Sequence, residues 1–206
     1  MPKQFKLLHT EWSDGWGGQE IRILEECKAF IGKGCEVIIA AQPNSALYSK
    51  SIEAEIPCIP IKMNKGINLT SIFKLIKIIK KFQIQIVHTH SSVDSRVAGI
   101  AASICGVSVV RSRHISIPIS KSYLTRWQYM NLADRIITSG NEIRKEMISR
   151  NHMNPSQIIS APAGVNTKQF NLNRTLDDIR PKYNLTEEVF LIGIVSVLRS
   201  WKGHKY

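Results

Sequence analysis

Thr10-Glu11-Trp12-Ser13-Asp14-Gly15-Trp16-Gly17-Gly18-Gln19-Glu20 is the stretch of the chain that offers the most chemistry. Gly15, Gly17 and Gly18 fill three of four consecutive positions. Without Cβ atoms they let a ligand come close to backbone N–H groups. A short apolar run, Phe5 to His9, leads into the stretch, and a helical pattern (Ile21, Leu24, Cys27, Phe30, Ile31) leaves it. Strand, glycine-rich turn and helix in that order place a positive helix end beside a bound anion. A turn that only packed a helix on a strand would need one or two glycines and not the flanking Trp, Asp and Glu, so a ligand site is the preferred reading. It is not a dinucleotide fingerprint. Gly15 and Gly17 fit G-x-G-x-x-G, but Glu20 stands at the third glycine, and Ala40-Ala41-Gln42 replaces the acidic residue expected after the second strand.

Histidines gather at comparable places. His9 ends the first apolar run, His88 and His90 end a later one, and His114 follows the next, accompanied by Asp14, Ser91, Ser92, Asp94, Arg111, Arg113 and Ser139. In open α/β sheets, ligands bind outside the carboxyl ends of the strands. Four histidines on that edge therefore point to a shared cleft. His88 and His90, two apart on a strand, point the same way and could reach one ion. No third or fourth ligand is evident, so no metal is expected. No Ser-His-Asp or Cys-His arrangement can be argued from residue order, and no G-x-S-x-G elbow is present.

The elements that must position these residues alternate along nearly the whole chain. Strands are expected at about Phe5–Thr10, Glu36–Ala41, Cys58–Lys62, Ile86–His90, Ser108–Arg113, Arg135–Thr138, Ile158–Ala161 and Phe190–Val197. Helices are expected at about Gly17–Ile31, Ser45–Glu53, Leu69–Phe82, Ser92–Cys105, Tyr123–Ala133, Glu142–Asn151 and Leu176–Tyr183. Ser91 or Ser92 can cap the fourth helix and Gly106 can close it. Segments such as Ile84–Val87 and Val107–Val110 are apolar runs, as suits a parallel sheet covered on both faces. The fold class is α/β, a doubly wound, Rossmann-like parallel sheet. After the seventh strand, Ser160 to Phe170, with Pro162 and Gly164, reads as an exit from the sheet.

The 206 residues carry 28 Lys+Arg against 16 Asp+Glu, a net charge of +12, which favours an anionic partner. On the third helix Lys74, Lys77, Lys80 and Lys81 share a face about 120° wide, suited to resting on anionic lipid. Nucleic acid is not expected, because the basic residues are not interleaved with exposed aromatics. No apolar run approaches membrane-spanning length, and the first residues lack the apolar segment of a signal peptide. Cys27, Cys35, Cys58 and Cys105 form no C-x-x-C pair, consistent with free thiols and a cytoplasmic location.

Assembled, these pieces resemble the amino-terminal domain of a retaining GT-B glycosyltransferase of family 4, the group 1 transferases. The marks are Gly17-Gly18-Gln19-Glu20, Ile86-Val87-His88-Thr89-His90, Val109-Val110-Arg111-Ser112-Arg113-His114, Ala133-Asp134-Arg135-Ile136-Ile137, and Ala163-Gly164-Val165-Asn166 with Phe170. The resemblance implies two Rossmann-like domains with the active site between them, an amino-terminal domain for the acceptor and a carboxy-terminal domain for the nucleotide sugar. Residues 1–185 would be the first domain, and 186–206 the start of the second.

The resemblance also implies roles. His114 would be the catalytic residue at the cleft. Gly17, Gly18, Glu20, His90, Ser91, Asp94, Arg113 and Gly164 would bind substrate. Arg199 and Lys202 would hold the donor diphosphate, with Val197 at the family's usual arginine position. No cofactor or metal is implied. The expected function is transfer of a sugar, with retention, from a nucleotide sugar to a glycan or lipid-linked acceptor in cell-surface polysaccharide or lipopolysaccharide-type synthesis. The expected setting is the cytoplasm, at the inner face of the membrane. A separate carboxy-terminal half would be the partner of a truncated or split enzyme. The alternative is a non-catalytic module that binds an acceptor or a partner subunit.

Overall fold

Leu7 and Leu8, neighbours in the first strand, are both buried, on opposite faces of one sheet. Leu7 packs with Ile23, Cys27, Val37 and Ile39, while Leu8 packs with Ile38, Leu75, Val87 and Val97. A strand turns successive side chains to opposite sides, so burial of both requires helices on both faces. The computed structural model describes residues 4–66, 68–115, 117–168, 170, 179–196 and 203–205. They divide into two compact units, Met1–Ala163 and Gly164–Tyr206.

The first unit is built on β1 (Lys6–Glu11), β2 (Glu36–Ala41), β3 (Cys58–Pro60), β4 (Ile86–Thr89), β5 (Ser108–Arg113), β6 (Arg135–Thr138) and β7 (Ile158–Ser160). They form a seven-stranded sheet in the order β3-β2-β1-β4-β5-β6-β7, parallel throughout. The helices are α1 (Gly18–Gly32), α2 (Ala46–Glu53), α3 (Leu69–Lys81), α4 (Ser92–Cys105), α5 (Tyr123–Met130) and α6 (Asn141–Asn151). The strand order reverses between β1 and β4, and a doubly wound sheet opens its ligand crevice at that point.

Local signals account for the boundaries. Ser45 Oγ accepts from Tyr48 N at 3.1 Å and Asn68 Oδ1 from Ser71 N at 3.2 Å, which caps α2 and α3. Gly106 ends α4 in the left-handed region, φ 65°, where a side chain would be strained. On α3, Ile72, Leu75, Ile78 and Ile79 are buried, and the four lysines are exposed. Helix α5 stops at Met130 rather than Ala133, because Leu132 turns down onto α4. A Cβ at Gly99 would meet Leu132 Cβ at 3.1 Å.

The second unit departs from the expected pattern. Residues 190–196 form no strand, although Phe190 and Ile192 are apolar and 88% and 87% exposed. An apolar run becomes a strand only when a neighbour takes its backbone hydrogen bonds, and none does so here among the described residues. Within the expected helix 176–183, the described residues contain a 3₁₀ turn at Pro181–Tyr183. Residues Arg199 and Lys202, expected at a donor diphosphate, lie outside the described residues, and the boundary expected after residue 185 falls within the second unit.

Candidate active site

The switch point is lined by what β1 and β4 carry at their carboxyl ends. His9 is the register partner of His88, and Thr10 of Thr89. His9, His88 and His90 share the α1 face of the sheet, where His9 also meets Phe30. Thr10 faces α4 and donates to Asp94 Oδ2 at 3.0 Å.

Three of the four histidines form a relay. His9 Nδ1 lies 3.1 Å from His90 Nε2, and His90 Nδ1 lies 3.0 Å from His114 Nε2. The fourth, His88, has its ring centroid 4.2 Å from that of His90, tilted by 36°, and shares a hydrogen bond with Ser112 Oγ at 2.8 Å. Burial holds His9 down at a pKa of about 4. The same cause, with mutual repulsion, places His88 and His90 well below the ordinary imidazole range. His114 is pushed down to about 4 by burial and by Arg22 and Arg113. All four are therefore neutral at pH 7, each with one N–H and one bare nitrogen. His9 Nε2 is buried with no hydrogen-bond partner among the described residues. An orphaned N–H is the rarer and costlier burial, so His9 carries its proton on Nδ1. His9 then donates to His90, and His90 to His114, which leaves His114 with its free N–H on Nδ1.

The glycine loop is braced by carboxylates. Gly17 N donates to Glu20 Oε2 at 2.9 Å, so Glu20 caps the helix that it opens. Glu11, wholly buried at the end of β1, accepts from Ser13 N at 2.7 Å and from Gln19 Nε2. Burial first, then the Asp94 charge, raises its pKa to about 8. Gly15, Gly17 and Gly18 are not in the left-handed region, and a Cβ on Gly18 would meet nothing within 4 Å. Neither backbone strain nor packing demands glycine at Gly18. The space above it is open to a ligand.

Asp94 holds the β4–α4 corner. Besides Thr10, it accepts from His90 N and Ser91 N, each at 2.8 Å, and from Ser91 Oγ. It is wholly buried, and burial raises its pKa. Its carboxylate positions His90 and Ser91 and turns no free face to the cleft.

His90, Ser91, Arg113 and His114 line one cavity of about 100 Å³ together with Gln19 from the first turn of α1. The tertiary structure thus brings the start of α1 to the histidine relay. Gly164 is exposed and belongs to the second unit. Residue order did not single out Glu11 or Gln19 for a role. For Glu11, the one available signal was its place as the last residue of a strand buried on both faces.

The structure also supplies the third imidazole that residue order left out. His9, His88 and His90 present ligand nitrogens within 4.8 Å of one another, a set that could hold a zinc-like ion. His9 Nδ1 and His90 Nε2 are engaged with each other in a hydrogen bond.

The chain is similar to a glycosyltransferase from Rickettsia africae ESF-5, at 21% identity and TM-score 0.80 over 98% of this chain and 55% of that one. It is similar to HepE from Anabaena in complex with UDP-glucose, at 14% identity and TM-score 0.64 over 80% of this chain and 45% of that one. A UDP-N-acetylglucosamine 2-epimerase from Rickettsia bellii matches at 15% identity and TM-score 0.58, over 89% of this chain and 52% of that one. The chain spans about half the length of these proteins. The shared fold is the amino-terminal half of GT-B, with helices on both faces of the parallel sheet. No curated protein sequence matches. The profile of Glycosyltransferase Family 4 matches residues 16–169, from the glycine loop through β7 and beyond. The chain belongs to Glycosyltransferase Family 4.

Proposed function

We propose that this chain is the acceptor-side part of an enzyme that moves a sugar from a nucleotide sugar to a glycan or lipid-linked acceptor, with retention at the anomeric carbon. One observation carries the reading. The open position at Gly18 runs into Gln19, which lines one cavity with His90, Arg113 and His114. The complex of HepE with UDP-glucose supports the choice of donor class. Likeness to an epimerase shows fold alone, and the family membership favours transfer.

In the proposed reaction, the bond from the sugar's anomeric carbon to the diphosphate breaks, and one to the acceptor oxygen forms. The α1 N-terminus faces the departing charge, where backbone N–H groups are worth most. Arg199 and Lys202 are proposed to neutralise that diphosphate, and His114 to orient the sugar through its Nδ1–H. Glu11, Glu20 and Asp94 are all engaged in loop and corner hydrogen bonds, so none is assigned as a general base. No metal is proposed for the transfer step. We place the enzyme at the cytoplasmic face of a membrane, in cell-surface polysaccharide or lipopolysaccharide-type synthesis, with the exposed lysines of α3 against anionic lipid. Among the described residues no helix is long and apolar enough to cross a membrane.

The test is sugar transfer from labelled UDP-sugars, by the chain alone and mixed with a carboxy-terminal donor-binding half. Transfer with retained configuration by the mixture is the expected result, with little or none by the chain alone. A folded chain silent in both arms would instead favour a binding module.

A further inference from the structure

Arg111 is 3% exposed, yet among the described residues it has no carboxylate in ion-pair contact. Its guanidinium lies 3.5 Å above the Tyr129 ring, and its Nη1 is buried without a hydrogen-bond partner. A buried cation is ordinarily paired, because leaving its donors unmet is costly. The nearby acid, Asp94, already accepts from Thr10, His90 and Ser91.

Beside Arg111 opens a cavity of about 460 Å³ between the loop after β5 and helices α4 and α5. Arg96 and Arg113 also line it, and no Asp or Glu does. Arg96 reaches across to Gly66 O at 3.4 Å, and Arg113 Nη2 donates to Ile117 O, so both guanidinium groups are steadied by backbone. The cavity shares Ser92, Arg111, Arg113 and Tyr129 with the smaller one that holds His114. Beside these polar groups Pro118, Ile119 and Leu124 line one part of it, and Leu124 is 68% exposed.

Resting on the function proposed above, we propose that this cavity binds a phosphate or diphosphate carried on an apolar stem, so that the acceptor is a phospholipid-linked one with its anion held by Arg96, Arg111 and Arg113. Planar guanidinium groups match phosphate oxygens in pairs, and Pro118, Ile119 and Leu124 offer a hydrocarbon a path out of the cavity. The donor diphosphate is assigned elsewhere, to the start of α1 and to Arg199 and Lys202.

The experiment is titration calorimetry of the 206-residue chain with farnesyl diphosphate, inorganic diphosphate, farnesol and UDP. Arg111 is buried, so the informative variants are Arg96→Gln and Arg113→Gln, each checked for fold by circular dichroism. Farnesyl diphosphate should bind, weaken as salt rises, and lose roughly tenfold affinity in each variant. Leu124→Ser should weaken farnesyl diphosphate and leave inorganic diphosphate unchanged. No binding by a folded chain, equal binding of farnesol, or variants that bind like the parent would overturn the proposal. Inorganic diphosphate or UDP binding as tightly as the prenyl compound would overturn it too, by assigning the cavity to a soluble anion or to the donor. Absent sugar transfer with farnesyl diphosphate binding intact would count against the transferase reading alone.

Discussion

His90 Nδ1 lies 3.0 Å from His114 Nε2, and this contact decides which nitrogen His114 presents to the cleft. His114 should be the Nδ1–H tautomer at pH 7, with a pKa near about 4. Nitrogen-15 NMR of the histidines in the intact chain reads both. His90→Ala should release His114 towards an ordinary mixture of tautomers. His114→Ala should lower transfer by roughly 10–10³-fold, the scale of one lost donor at a reacting centre. Finding the Nε2–H form in the parent chain would reverse the relay and remove this role.

The buried ionisable groups set a stability optimum. The folded pKa of His9, about 4, lies below its ordinary 6.5, so only the unfolded chain takes up a proton as pH falls from 6.5 towards 4. Stability falls over that window, by up to about 3 kcal/mol for this residue, and His88, His90 and His114 act in the same direction. The folded pKa of Glu11, about 8, lies above its ordinary 4.5. The folded chain there holds a proton that the unfolded chain loses, so stability falls as pH rises from 4.5 through 8. Four histidines outweigh the two raised carboxyls, Glu11 and Asp94, below 6.5, and urea unfolding should show greatest stability near pH 6.5. Glu11→Gln should flatten the decline above pH 6.5 and steepen the loss between pH 6.5 and 4.5.

Gly18→Ala separates ligand approach from folding. A Cβ there meets nothing within 4 Å, and the backbone is not left-handed. The midpoint of thermal unfolding should move by no more than the equivalent of about 1 kcal/mol. Transfer should fall at least roughly tenfold, because the methyl group enters the space proposed for the sugar and phosphate. Unchanged transfer would make the loop a structural turn.

The exposed lysines of α3 are testable with vesicles. Each basic residue near an anionic surface contributes about 1 kcal/mol, so Lys77→Ala with Lys80→Ala should weaken sedimentation with phosphatidylserine vesicles roughly 30-fold at low salt. Circular dichroism should not change, since both side chains are exposed. Binding that is equally strong to neutral vesicles would assign contact to Leu69 and Phe73, which are exposed on the same helix.

Gly99→Ala probes the seam between α4 and the chain after α5. Its Cβ would sit 3.1 Å from Leu132 Cβ and 3.3 Å from Leu132 O. Relief requires backbone movement, and such overpacking costs about 1–3 kcal/mol. Chemical denaturation should show that loss, and a stability equal to the parent's would mean that the seam is loose.

Periodicity and caps were enough to place β1 to β7 and α1 to α6, because each reports a local preference. Apolar runs at Leu7–Leu8 and Ile136–Ile137, Ser45 and Asn68 before helices, and Gly106 after one are legible without knowing any neighbour. The same reasoning failed at residues 190–196, where a strand requires a partner that the residues themselves cannot supply. Sequence also placed His9, His88, His90 and His114 on one edge, since each follows a recognisable strand.

What only the tertiary structure decided is which of them touch. The order β3-β2-β1-β4 sets His9 beside His88 and lets His90 bridge His9 to His114. It turns Asp94 inward and leaves Arg111 buried with no carboxylate in ion-pair contact among the described residues. Register and burial are non-local quantities, fixed by crossover connections across scores of residues. Residue types determine what chemistry is available, and packing determines which groups are neutral, which are engaged, and which remain open to a ligand.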